Sequence, residues 1–228
     1  MSGDRHSIAE TTVTLTDPDE IARREAENGL RQFSLALEII RQHVKEPERP
    51  FRLRSSTILR LHQAALDGLH PLAGTWRNTP VKIGGSGHQP PEAAFVSEEV
   101  ELMCDQVNDH WSDWSAVHLC AYVLWRLNWI HPFSDGNGRT ARAVAYVVLS
   151  AKLDSLLPGA PTIPEQIATD KTPYYEALEA ADQSLKESGQ TDVSKLEEML
   201  EGMLAQQLVN AAKEASGQAD GCPPKTFH

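Results

Sequence analysis

Two stretches of this chain, SAVHLCAYVLWRLNWI (residues 115–130) and AVAYVVLSAKL (143–153), carry apolar residues on nearly every helical face. A helix of that kind has no side to offer water and must lie at the centre of a bundle, wrapped by others. With 228 residues, the chain is long enough for one domain with a sizeable core plus modest extensions.

The wrapping helices follow from spacing and caps. TDPDEIARREAENGLRQFSLALEIIRQHV predicts a long helix over residues 17–45, with Asp17 as cap and Pro18 in the first turn. Its docking face is expected to use Ile21, Leu30, Phe33, Leu37, Ile40 and Val44. SSTILRLHQAALDGL restarts a helix behind a hydroxyl cap, and Ser97 is expected to cap SEEVELMCDQVNDH. Pro173 opens PYYEALEAADQSL, and residues 191–216 read as a C-terminal amphipathic helix. Between them, residues 75–96 carry Thr, Val and Ile, then Gly84-Gly85-Ser86-Gly87 and Pro90-Pro91, which is the chemistry of a small hairpin flap. The glycine run is no dinucleotide loop, because the proline pair prevents a helix behind it. The expectation is an all-α bundle with a small β-hairpin flap and flexible ends at residues 1–16 and 217–228.

A formal net charge of -11 argues against a surface that neutralises nucleic-acid phosphates. No stretch of about eighteen apolar residues suggests a membrane span, and MSGDRHSIAE lacks the basic flank and apolar run of a leader, so a cytoplasmic location is expected. Cys104, Cys120 and Cys222 show no CxxC spacing and fit buried thiols.

The two apolar helices are joined by HPFSDGNGRTAR, residues 131–142. Pro132 should stop the first helix at His131, and Phe133 should anchor the loop in the core. Gly136-Asn137-Gly138 lets the backbone bend tightly just before the next helix starts. A helix N-terminus offers N–H groups without intrahelical acceptors, and Arg139 and Arg142 lie one turn apart beside it, so the junction suits a multiply charged anion such as a phosphate chain. Asp135 would be repelled by that anion unless a hard cation, for which magnesium is suited, lay between them. His131 at the mouth of this pocket fits a general base. The competing reading is a polar helix corner in which His131 and Asp135 cap backbone groups while the arginines pair with surface carboxylates.

These residues resemble the signature of Fic-domain proteins: HxF, an acidic residue, then GNGRxxR. The likeness extends over about residues 17–190, through the flap and the helix that carries Tyr174 and Tyr175. It implies an all-helical core and transfer of AMP from ATP to a Ser, Thr or Tyr hydroxyl of a protein, the enzyme itself included, with magnesium carrying pyrophosphate charge. By that resemblance His131 is the base and Asp135 holds magnesium. Gly136, Asn137, Gly138, Arg139 and Arg142 hold the phosphates, Tyr174 and Tyr175 border the base, and Val81, Lys82 and Ile83 pin the target as an added strand. Many members also carry an inhibitory helix with Ser or Thr, three residues, then Glu followed by Gly or Asn, whose glutamate pairs with the motif's second arginine. In this chain Glu27 is the first candidate and Glu201 the second, though Arg23 and Glu197 stand where the pattern wants a hydroxyl. Relatives that move other nucleotides or remove AMP, and a non-enzymatic nucleotide-binding regulator, are the alternatives. The acidic surface and long last helix permit a homodimer.

Overall fold

The computed structural model describes residues 7–8, 16–46 and 48–217. The ends expected to be loose lie almost wholly outside the described residues. Among the described residues, eight α-helices make up nearly all the regular structure: α1 (Pro18–Lys45), α2 (Ser55–Leu66), α3 (Val96–Asp109), α4 (Ala116–Ile130), α5 (Asn137–Lys152), α6 (Ile163–Thr169), α7 (Thr172–Ser188) and α8 (Ser194–Ala215). None of the described helices is long and apolar enough to cross a membrane.

The two all-apolar segments are α4 and α5, which pack on each other at the centre. Leu119, Val123, Leu124, Leu127 and Ile130 of α4 and Val144, Val147, Val148 and Leu149 of α5 are buried. Each such side chain contributes roughly 1.5–3 kcal/mol on leaving water. Helices α1 and α2 cover α5 on one side, while α3, α7 and α8 pack on α4. Two polar contacts seat the last helix: Gln207 is buried, its amide donating to Pro158 O at 3.1 Å while its carbonyl accepts from Ile163 N at 3.1 Å.

Asp17 caps α1 as expected, its carboxylate accepting from Asp19 N at 3.0 Å. The docking face of α1 differs from the hydropathy reading. Its fully buried stripe is Asn28, Gln32, Ala36 and Ile40, whereas Leu30 is 72% exposed. Polar residues set this rotation: Asn28 Nδ2 donates to Asp67 O, at the C-cap of α2, at 2.8 Å and Gln32 Nε2 to Leu61 O, in the middle of α2, at 3.1 Å. Two caps also differ. Helix α2 starts from Arg54 and α3 from Phe95, neither with a side-chain cap, so Ser55 and Ser97 are helical residues.

The flap holds one short strand, β2 (Lys82–Ile83). It is not one arm of a local hairpin. Its antiparallel partner is β1 (Ser7–Ile8), with Ser7 opposite Ile83 and Ile8 opposite Lys82. Lys82 is exposed, while Val81 and Ile83 are buried on the inner side, the alternation a strand imposes. Cys104 and Cys120 are buried free thiols, pushed up to about 12 by that burial, and Cys222 lies outside the described residues.

Candidate active site

The site is built on the turn between the two central helices. Helix α4 ends at Ile130, and His131 takes the left-handed conformation, φ 49° and ψ 59°. Phe133 then plunges into the core, 1% exposed, stacked on His62 with centroids 3.6 Å apart and planes 7° off parallel. Asn137 closes the loop beneath it: its carbonyl oxygen accepts from Phe133 N at 2.9 Å and its amide donates to Phe133 O at 2.7 Å. The Asn137 side chain therefore shapes the loop.

His62 is a second support. Its Nδ1 accepts from Gly74 N at 2.9 Å, which leaves the proton on Nε2 to be donated to Asp135 O at 3.0 Å. Burial pulls its pKa down to about 4, so it is a neutral strut near pH 7. Gly136 has φ 73° and sits so close to α2 that a Cβ there would lie 3.0 Å from Leu66 Cδ2. Helix α5 begins at the next residue, so its N-terminus opens toward the same side as His131.

A cleft of about 750 Å³ lies over this turn. His131, Asp135, Gly136, Asn137, Gly138, Arg139 and Arg142 all line it, as do Tyr174 and Tyr175 of α7 and Ile83 of the flap. Val81 and Lys82 do not. The His131 Nδ1 lies 3.3 Å from Asn128 O, an arrangement that places the ring proton on Nδ1 and the basic lone pair on Nε2. Asn128 also donates to Tyr174 Oη at 2.7 Å, tying α4 to α7 along the wall of the cleft.

Five lining residues, Glu25, Ala26, Asn128, Ala168 and Lys171, were not singled out from sequence. Asn128 left a signal, being one of the few polar residues of a mostly apolar helix and three residues before His131. The other four come from α1 (Glu25 and Ala26), α6 (Ala168) and the cap of α7 (Lys171), and are recognisable only once those helices dock. Lys171 adds a third cation to Arg139 and Arg142, which strengthens the case for an anionic ligand in a chain whose net charge is -11.

The expected inhibitory glutamates are placed differently from expectation. Glu27 reaches Arg23 at 3.6 Å and Arg24 at 3.9 Å on its own helix, and among the described residues no carboxylate pairs with Arg142. Glu201 is exposed on α8 and does not line the cleft. The acidic residue that α1 presents is Glu25, whose carboxylate lies 3.1 Å from Arg139 Nη1. Residues 25 and 27 are roughly 200° apart around a helix, so only one of them can face the cleft.

Asp135 accepts from Gly136 N at 2.6 Å and approaches Arg139 Nη2 at 3.5 Å, its side chain half exposed. Among the described residues no cluster of three His, Cys, Asp or Glu could hold a metal ion. A lone carboxylate facing a cationic cleft fits magnesium only as an ion shared with phosphate oxygens, which is the ion's usual mode.

Comparison with known proteins agrees with this geometry. Residues 52–149 match the Fic/DOC family. The chain is 34% identical over 131 residues to "Protein adenylyltransferase Fic" of Nematostella vectensis, covering 54% of this chain and 27% of that protein. It is 33% identical over 132 residues to the protein of the same name from Drosophila persimilis, covering 55% and 23%. It thus spans about a quarter of the length of these curated relatives. Among solved structures, a Fic-domain-containing signaling protein from Bacteroides thetaiotaomicron superposes with a TM-score of 0.68 at 23% identity, over 86% of this chain and 75% of that one. Fic-1 (residues 134–508) from C. elegans gives 0.63 at 21%, over 84% and 52%. The motif and the helical frame agree with the matched segment: residues 52–149 are similar to the Fic/DOC family, and the fold is that of solved Fic-domain structures.

Proposed function

We propose that this domain is a protein adenylyltransferase, moving AMP from ATP to a hydroxyl of a protein. The observation that carries the reading is the convergence in one cleft of a histidine, a helix N-terminus with two arginines, and the inner residue of a flap strand. In this reading the start of α5 and the Arg139 and Arg142 guanidiniums hold the triphosphate, with Lys171 adding charge. Tyr174 and Tyr175 border the base. The acceptor oxygen attacks the α-phosphorus as its proton passes to His131 Nε2; the bond to the β-phosphate oxygen breaks and pyrophosphate leaves. A magnesium ion held by Asp135 together with phosphate oxygens would supply neutralising charge for the departing pyrophosphate.

Val81 to Ile83 would hold the acceptor segment by strand addition, in which backbone bonds give affinity with little demand on sequence. The pairing of Ser7–Ile8 on β2 supports this, since that edge already takes an extended segment of the same chain. Acceptors therefore include this protein itself as well as a separate partner. Inhibition is best supported at Glu25, which occupies Arg139 where the triphosphate would bind.

The test is intact-mass analysis after incubation with ATP and magnesium, beside His131→Ala. A gain of one AMP, lost in the variant, is expected. Parallel incubations with other nucleotides separate the alternative donors, and no adduct from any of them would favour the non-enzymatic regulator.

A further inference from the structure

Arg77 stands in the first stem of the flap, outside every motif read from the sequence, and is only 3% exposed. No carboxylate among the described residues pairs with it. Its guanidinium instead donates to four main-chain carbonyls: Nε to His131 O at 2.8 Å, Nη2 to Ile130 O at 3.4 Å and Pro91 O at 2.5 Å, and Nη1 to Thr79 O at 3.1 Å. Its own N–H donates to Pro132 O at 2.9 Å. Three consecutive carbonyls, at the end of α4 and the start of the catalytic loop, thus converge on one residue, two of them on its side chain.

A buried guanidinium without an acid partner is costly unless its donors are satisfied. Here the acceptors include the last carbonyls of α4, which carry the partial negative charge of a helix C-terminus. A planar fork with five N–H donors can reach three separate stretches of backbone at once. Two of those stretches, at Thr79 and Pro91, are the stems on either side of β2. The third includes His131, a residue with a Cβ held at φ 49°, a conformation that costs roughly 1–2 kcal/mol when nothing compensates.

We propose that Arg77 is a positioning residue that holds the His131 backbone in its left-handed conformation and locks both flap stems to it, so that base and acceptor strand keep one spacing. This rests on His131 acting as the base of the proposed transfer and adds the device that aligns it with the acceptor. The nucleotide cradle has separate supports, His62 and the Asn137 clasp on Phe133. Loss of Arg77 should therefore split binding from chemistry.

The experiment compares the full chain with Arg77→Lys, which keeps the charge without the fork, and Arg77→Ala, with and without added guanidinium below denaturing concentration. Three quantities are read: ATP affinity by calorimetry, the His131 imidazole signals in histidine-labelled protein by NMR, and the rate of AMP transfer. For Arg77→Lys the expected result is ATP affinity within about twofold, displaced His131 signals and a fall in kcat on the order of a hundredfold, the scale of a misplacement near 1 Å. Guanidinium should restore part of the activity of Arg77→Ala. Should Arg77→Ala not fold, the lysine variant decides. Unmoved His131 signals, or ATP affinity and kcat falling together, would overturn the proposal. If the unaltered protein transfers no AMP, the adenylyltransferase reading fails, and the ring signals still decide whether Arg77 positions His131.

Discussion

The two glycines that flank Asn137 look equivalent in the motif, yet the structure gives them different work, and their alanine variants should separate it. At Gly136 a side chain meets two obstacles. The φ of 73° is left-handed, which costs roughly 1–2 kcal/mol for a residue with a Cβ. The added Cβ would also lie 3.0 Å from Leu66 Cδ2 and 3.2 Å from Leu66 Cγ, on a fully buried residue of a packed helix, an overpacking worth roughly 1–3 kcal/mol. Gly136→Ala should thus lose about 2–5 kcal/mol, and at roughly 2–4 °C per kcal/mol for a chain of this size its melting temperature should fall by at least about 4 °C. Gly138 lies inside the first turn of α5, and the nearest atom to its added Cβ is the mobile Arg142 Nη1 at 3.2 Å. There alanine gains helix propensity, up to about 1 kcal/mol, so stability should hold or rise. The displaced Arg142 should weaken ATP binding instead. Urea unfolding and calorimetric titration of ATP on both variants check this. A Gly136→Ala protein with an unchanged urea midpoint, or a Gly138→Ala protein equally destabilised, would refute the assignment.

Glu25→Gln should raise ATP affinity and AMP transfer, by up to about fivefold because the Glu25–Arg139 pair is partly solvent-exposed and such pairs contribute about 0–1 kcal/mol; Glu27→Gly should leave both nearly unchanged, and the reverse order would restore Glu27 as the brake. His62 gives a pH dependence of stability. Its folded pKa, about 4, lies below its ordinary 6.5 through burial, with Asp135 opposing and with His70 and Arg139 adding to the depression. The unfolded chain therefore binds the extra proton, and this contribution is present above pH 6.5 and lost as pH falls toward 4. About 2 kcal/mol should be gone by pH 5, measured as the difference between urea curves of the native protein and His62→Gln at pH 7 and pH 5. Equal losses in both proteins would remove His62 as the cause.

The chain's residues alone determined the centre of this protein. A helix that is apolar all round is buried whichever way it turns, so α4 and α5 could be placed before any contact was known. The polar dozen from His131 to Arg142, set between them, had to be a site or a heavily satisfied corner, and every cleft-lining residue it contains was legible for that reason. An amphipathic helix is different, because its rotation belongs to the interface. Asn28 and Gln32, hydrogen-bonded to carbonyls of α2 and its cap, turn α1 so that Leu30 faces outward and Glu25 rather than Glu27 meets Arg139 of the cleft. Strand pairing is equally hidden, since the bonds joining Ser7–Ile8 to Lys82–Ile83 are main-chain bonds with no side-chain signature. Arg77 is hidden too: its partners are four carbonyls, groups every residue carries, and only the folded backbone brings them within reach of one guanidinium.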